Sequence, residues 1–297
     1  MPRNVSRKVR AAVLASALAT AFACATTTAG NAGAATVANP WPVAVVSGAS
    51  TPQGGGMWLT SGNGYVKVIG YARNFGNSAS LPLTAPIVGV ATTPNGGGYW
   101  QVAGDGGIFT FGNAHFYGSM GGKPLNQPVF SMASSQFGKG YWLVARDGGI
   151  FTFGNAKFYG STGNIRLNQP IVGITRSVSG NGYRMIAADG GMFTFGDAAY
   201  YGSLPGIGVN VNDVIGMALT PTGHGYWIAR ANGSVYAFGD ARPLGSAVVP
   251  ACTSIVSIVA NPKLQGYWLV VPSGGGVGFG VPPAGPNALK PVALCPQ

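Results

Sequence analysis

The stretch "DGGIFTFGNAHFYGS" occupies Asp105 to Ser119 and returns almost unchanged as "DGGIFTFGNAKFYGS" from Asp147 to Ser161, a step of 42 residues. "DGGMFTFGDAAYYGS" begins at Asp189, another 42 residues on, and "NGSVYAFGDARPLGS" begins at Asn232, 43 further. Weaker copies flank these, "NGYVKVIGYARNFGN" from Asn63 and "SGGGVGFGVPPAG" from Ser273. A second marker travels with the first. "GYW" places Tyr99-Trp100, Tyr141-Trp142, Tyr226-Trp227 and Tyr267-Trp268 in one slot, which degenerates to Met57-Trp58 and Tyr183-Arg184. Five of the six tryptophans therefore share a single repeat position. Six copies of one unit at this period mean a chain built from stacked supersecondary modules, and that decides the fold.

The unit from Pro86 to Gln127 shows what is repeated. "PIVGVAT" is a short β-branched run, "PNGG" a hairpin-turn signal, and "GYWQVAG" a second apolar run. Asp105-Gly106 is a second tight turn. "GIFTFG" then alternates with the period of a strand, and "HFYGS" reads as a fourth short strand. Nothing has helical periodicity over ten residues. A lone blade of this kind cannot bury both faces, whereas a ring of blades can. The expected fold is all-β: a six-bladed β-propeller of ~42-residue four-stranded repeats, closed by a C-terminal strand. The repeats span residues 42–85, 86–127, 128–169, 170–212, 213–253 and 254–290, with a closing strand over 291–297. The first strands should line the central channel, and the Trp slot and the Phe positions should pack blade on blade.

The unit "GYW…DGGIFTFGDA…FYGS" resembles a tandem repeat common in exported proteins of actinobacteria, and that resemblance implies a β-propeller-like fold. It covers about residues 42–290. It is specific as a repeat and implies no particular activity, since propellers host many unrelated functions.

The first 34 residues stand outside the repeats. Arg3, Arg7, Lys8 and Arg10 make a basic start, an apolar stretch follows from Ala11, and Ala32-Gly33-Ala34 offers a small-residue cleavage site. The expectation is a signal peptide over 1–34, a single domain over 35–297, and a secreted or cell-wall-associated protein with no transmembrane segment. Without those four cations the chain keeps 13 Lys and Arg against six Asp and no Glu, a net charge of +7. Cys252 and Cys295 then remain as an even pair, which predicts a disulfide. In equivalent repeat positions they would lie roughly 20 Å apart, too far for a bond, so the tail must depart from repeat geometry.

Catalytic chemistry has little to work with. Asp105, Asp147 and Asp189 sit first in a tight turn, where Asn232 substitutes, and read as turn formers. No G-x-S-x-G elbow is present. His115 and His224 fall in repeats two and five, on opposite sides of a six-membered ring. No cofactor and no metal are expected. Variation on a repeated scaffold is where function is grafted, and Lys123, Arg146 and Arg166 are cations that neighbouring repeats do not carry. They fall on loops of one face. Arg184, in the Trp slot, needs solvent or a partner and would extend the patch inward. The expected function is a non-enzymatic, monomeric binding module for a cell-wall or extracellular anionic glycan, or for another envelope protein, with no role for nucleic acid. The alternative is a secreted hydrolase or lyase acting on polysaccharide or ester substrates.

Overall fold

The computed structural model describes residues 40–283 and 287–291. Eighteen strands fall into six antiparallel sheets of three, each in sequence order. Sheet one holds β1 (Val45–Ser50), β2 (Gly56–Ser61) and β3 (Val66–Gly70). Sheet two holds β4 (Ile87–Thr92), β5 (Gly98–Ala103) and β6 (Ile108–Gly112); sheet three holds β7 (Val129–Ser134), β8 (Gly140–Ala145) and β9 (Ile150–Gly154). Sheet four holds β10 (Ile171–Arg176), β11 (Gly182–Ala187) and β12 (Met192–Gly196). Sheet five holds β13 (Val214–Leu219), β14 (Gly225–Arg230) and β15 (Val235–Gly239). Sheet six holds β16 (Ser257–Ala260), β17 (Tyr267–Val270) and β18 (Gly276–Phe279). Among the described residues, helix is limited to one 3-10 turn, Pro205–Ile207.

Three of the four expected strands per repeat form, and the fourth does not. "HFYGS" joins no sheet, and the same holds for its counterparts in repeats one, three, four and five. The cause lies at the last residue of the third strand. Gly112 has φ of 67°, and a Cβ there would lie 2.3 Å from the Gly97 carbonyl oxygen. This left-handed glycine turns the chain off the sheet edge instead of folding it back alongside. The third strands thus remain edges, and in sheets two to four every residue of theirs is half-buried or exposed.

The turn chemistry follows the sequence reading. Asp105 Oδ1 accepts the Gly107 N–H at 2.9 Å; Asp147 and Asp189 repeat the bond to Gly149 and Gly191, and Asn232 to Ser234. The side chain mimics a backbone turn, so Asp and Asn interchange.

The middle strands are buried along their whole length in sheets one to four. Each first strand lies against the first strands of two other sheets: β1 on β4, β4 on β7, β7 on β10, β10 on β13, β13 on β16, and β16 on β1. Sheets one and six also exchange hydrogen bonds. Val45 N–H donates to the Pro272 carbonyl at 2.8 Å, Lys67 Nζ to the Gly274 carbonyl at 2.9 Å, and Asn261 Nδ2 to the Gly54 carbonyl at 3.1 Å. Val45, Met57, Leu59 and Ile69 form one buried cluster with Val259, Trp268 and Val270.

Most of the expected closing strand, residues 292–297, lies outside the described residues. The chain just before it runs beside sheet six, where the Gly276 N–H donates to the Lys290 carbonyl at 2.9 Å. Cys252 is not a free thiol, and Cys295 lies outside the described residues.

Candidate functional site

Five first strands carry a register shift at their second residue, which inserts Val46, Val88, Phe130, Val172 and Ile215 as bulges. A bulge re-aims its side chain. Here all five side chains line a cavity of about 550 Å³ to which the first strands of all six sheets contribute. The sequence reading placed these strands there, and the small and branched residues fit. Phe130 is the one aromatic among the five.

Phe130 also lines a second cavity, of about 570 Å³, between sheets two and three. Lys123 and Arg146 converge on it, with Val88, Leu125 and Pro128 as apolar walls. Arg146 lies with its guanidinium carbon 4.2 Å above the Phe130 ring centre, a cation–π geometry that fixes the charge at the cavity wall. Asp105 lines the same cavity, with Oδ1 committed to its turn. Among the described residues the ion pair is Arg230 with Asp213, at 2.7 Å. Neither Lys123 nor Arg146 has a carboxylate partner among the described residues. Arg166 is exposed and does not line this cavity.

Arg184 lies apart from these cations. It is buried at 2 % exposure and does the work of the tryptophan it replaces. In four of the other repeats the indole Nε1 donates to the carbonyl fifteen residues on: Trp58 to Arg73 at 2.7 Å, Trp100 to His115 at 2.8 Å, Trp142 to Lys157 at 2.7 Å and Trp227 to Arg242 at 2.8 Å. Arg184 Nε donates to the Ala199 carbonyl at 2.7 Å, the same bond from a different side chain. Its guanidinium lies 5.5 Å from the Tyr201 ring centre, and its Nη1 is buried without a partner among the described residues. Burial pushes this guanidinium below its ordinary pKa, and the nearby Tyr201 and Tyr226 hydroxyls oppose that shift. The slot needs a donor at one point, and Arg and Trp both supply it. The sequence reading, which sent Arg184 to solvent or a partner, did not see the carbonyl.

The tyrosine of "GYW" has a role that went unread. Four of the five tyrosines in this slot, all but Tyr226, pack on the tryptophan of the preceding sheet: Tyr99 on Trp58 at 5.4 Å, Tyr141 on Trp100 at 5.8 Å, Tyr183 on Trp142 at 5.7 Å and Tyr267 on Trp227 at 5.2 Å between ring centres. The tyrosine hydroxyl donates to a glycine carbonyl of the preceding repeat, as Tyr141 does to Gly118 at 2.6 Å and Tyr226 to Gly202 at 2.6 Å.

The aspartates serve the scaffold. Asp197 accepts from the Ser179 hydroxyl and Asp240 from the Thr220 and Thr222 hydroxyls, bracing the hairpin turns. The Ser179 and Ser177 hydroxyls hold the Asp197 carboxyl below the usual range. Among the described residues no group of three His, Cys, Asp or Glu could hold a metal ion, and no helix is long and apolar enough to cross a membrane.

No family model matches the chain, and no curated protein does. Among solved structures it is similar to a protein of unknown function from Bacteroides thetaiotaomicron, at 11% identity with a TM-score of 0.55 over 80% of this chain and 69% of that one. It is also similar to the β-propeller domain of Cps50 (Swd1) from Myceliophteria thermophila, at 8% identity with a TM-score of 0.50 over 80% of this chain and 97% of that one. At these identities the likeness concerns the fold alone. The six sheets are propeller blades of three strands each.

Proposed function

We propose that this protein is an exported six-bladed propeller, closed by blade six packing on blade one, that serves as a non-enzymatic binding module. Its ligand in this reading is an anionic glycan or wall polymer, held at the cleft between blades two and three. The observation that carries the reading is the convergence of Lys123 and Arg146 on one cavity, neither of them in ion-pair contact with a carboxylate among the described residues. A stacked arginine beside a lysine suits carboxylate or phosphate groups spaced along a chain, and the apolar wall suits a sugar face. Arg166, exposed nearby in sequence, adds long-range attraction. In the exported form the signal segment ends at Ala34 and Cys252 bonds Cys295. The fixed roles of the aspartates in turns and hairpins favour binding over hydrolysis.

The test is salt-dependent retention on purified cell-wall polymer. It uses the secreted protein, whose intact mass establishes its first residue and whether the two thiols are joined. The parent should be retained and should elute as salt rises, because exposed charges are screened beyond about 8 Å at physiological ionic strength. The double variant Lys123→Ser, Arg146→Ser should fold normally, since surface changes usually shift stability by no more than about 0.5 kcal/mol, and should lose retention. A double variant that binds as well as the parent would overturn the proposal.

A further inference from the structure

Arg176 is a part-buried cation outside the cleft between blades two and three. It is the last residue of β10, where the other first strands end in Ser50, Thr92, Ser134, Leu219 and Ala260. These positions gather at one vestibule of about 440 Å³, at the hairpin end of the first strands, and Arg176 is the charged side chain lining it. The guanidinium is held rather than free to swing: Nη1 donates to the Ser177 carbonyl at 3.1 Å and the Val178 carbonyl at 3.2 Å. Nε and Nη2 have no partner among the described residues, and no carboxylate lies within ion-pair reach. Burial without a counter-charge pushes the group below its ordinary pKa. Ser50, Thr92 and Ser134 line the same vestibule, and Ala49, Ala91 and Ala133 give its wall small apolar faces.

We propose that this vestibule is a binding site for a small hydroxylated carboxylate, a sugar acid, with Arg176 receiving the carboxylate and the ring of Ser and Thr hydroxyls receiving the polyol. An immobilised guanidinium offers two parallel N–H groups, the match for a planar carboxylate. The vestibule has the size of small-molecule sites, roughly 300 to 1,000 Å³. A polymer bound at the cleft between blades two and three would meet other residues, because the two cavities share no lining residue.

The experiment is a calorimetric titration of the protein with galacturonate, galactose and glucose 6-phosphate. The parent should bind galacturonate saturably, and galactose at least tenfold more weakly. Arg176→Gln should lose galacturonate binding by tenfold or more with an unchanged melting temperature. Arg176→Lys, which keeps the charge and loses the fork, should fall between them. The double variant Lys123→Ser, Arg146→Ser should bind galacturonate like the parent, which separates this site from the cleft. The proposal fails if the parent does not bind galacturonate, if galactose binds equally, or if Arg176→Gln binds as the parent does. Preference for glucose 6-phosphate would overturn the carboxylate assignment.

Discussion

Arg184 shows how much one side chain can be asked to imitate. Its Nε reaches the Ala199 carbonyl as an indole would, but its Nη1 stays buried without a partner. A buried polar donor left unpaired is costly, by about 1–3 kcal/mol. Arg184→Trp should remove that cost, keep the carbonyl satisfied, and give Tyr226 the ring that Tyr183 finds in Trp142. Urea unfolding should place this variant at or above the parent in stability. Arg184→Ala leaves both a void and an orphaned carbonyl, and should destabilise by about 2–4 kcal/mol. A tryptophan variant less stable than the alanine one would mean that the slot has been remodelled around arginine. The tryptophan slot was legible from five indoles at one period. Its reason, a fixed carbonyl fifteen residues on, was not, because hydrogen bonds to backbone leave no mark on the acceptor's sequence.

The fourth segment of each repeat explains both a success and a miss at the scale of elements. Three strands and their turns were readable from alternation and from Asp-Gly and Asn-Gly pairs. "HFYGS" has strand composition too, yet its carbonyls face other donors. His115 receives Trp100 and Gly118 receives Tyr141, so the segment is stitched between neighbouring blades rather than laddered to its own. Local composition could not reveal this, since the Tyr141 donor lies 23 residues away. Burial between the blades makes these tyrosines titrate late. Burial pushes Tyr99 and Tyr267 up to about 12, and Tyr141, Tyr183 and Tyr226 in the same direction. Their unfolded value is about 10. The folded state therefore holds these protons more tightly, and its stability is complete below about pH 10 and lost as pH rises toward 12. Ultraviolet titration of phenolate should show a late group of tyrosines that ionise together with unfolding. If all tyrosines ionise near pH 10 with the fold intact, the hydroxyl bonds do not hold the blades.

At the scale of the molecule the central claim is closure, which lets marginal three-stranded sheets bury both faces. The repeat count was legible in the sequence. The proposed seal was not, because it would use a variant blade: Met57 stands where other blades carry tyrosine, in the cluster that holds Trp268. Gly48 marks one close approach between blades one and six, since a Cβ there would meet Leu59 Cδ2 and Val259 Cγ2, each at 2.8 Å. Leu59 and Val259 stand 200 positions apart in the chain and share one buried cluster, as the proposed closure requires. A double-mutant cycle of Leu59→Ala and Val259→Ala, read by urea unfolding, measures that proximity. Closure predicts a coupling of about 1 kcal/mol or more, whereas distant sites add within about 0.5 kcal/mol. Additive losses at these two residues would contradict a ring in which blade six packs on blade one.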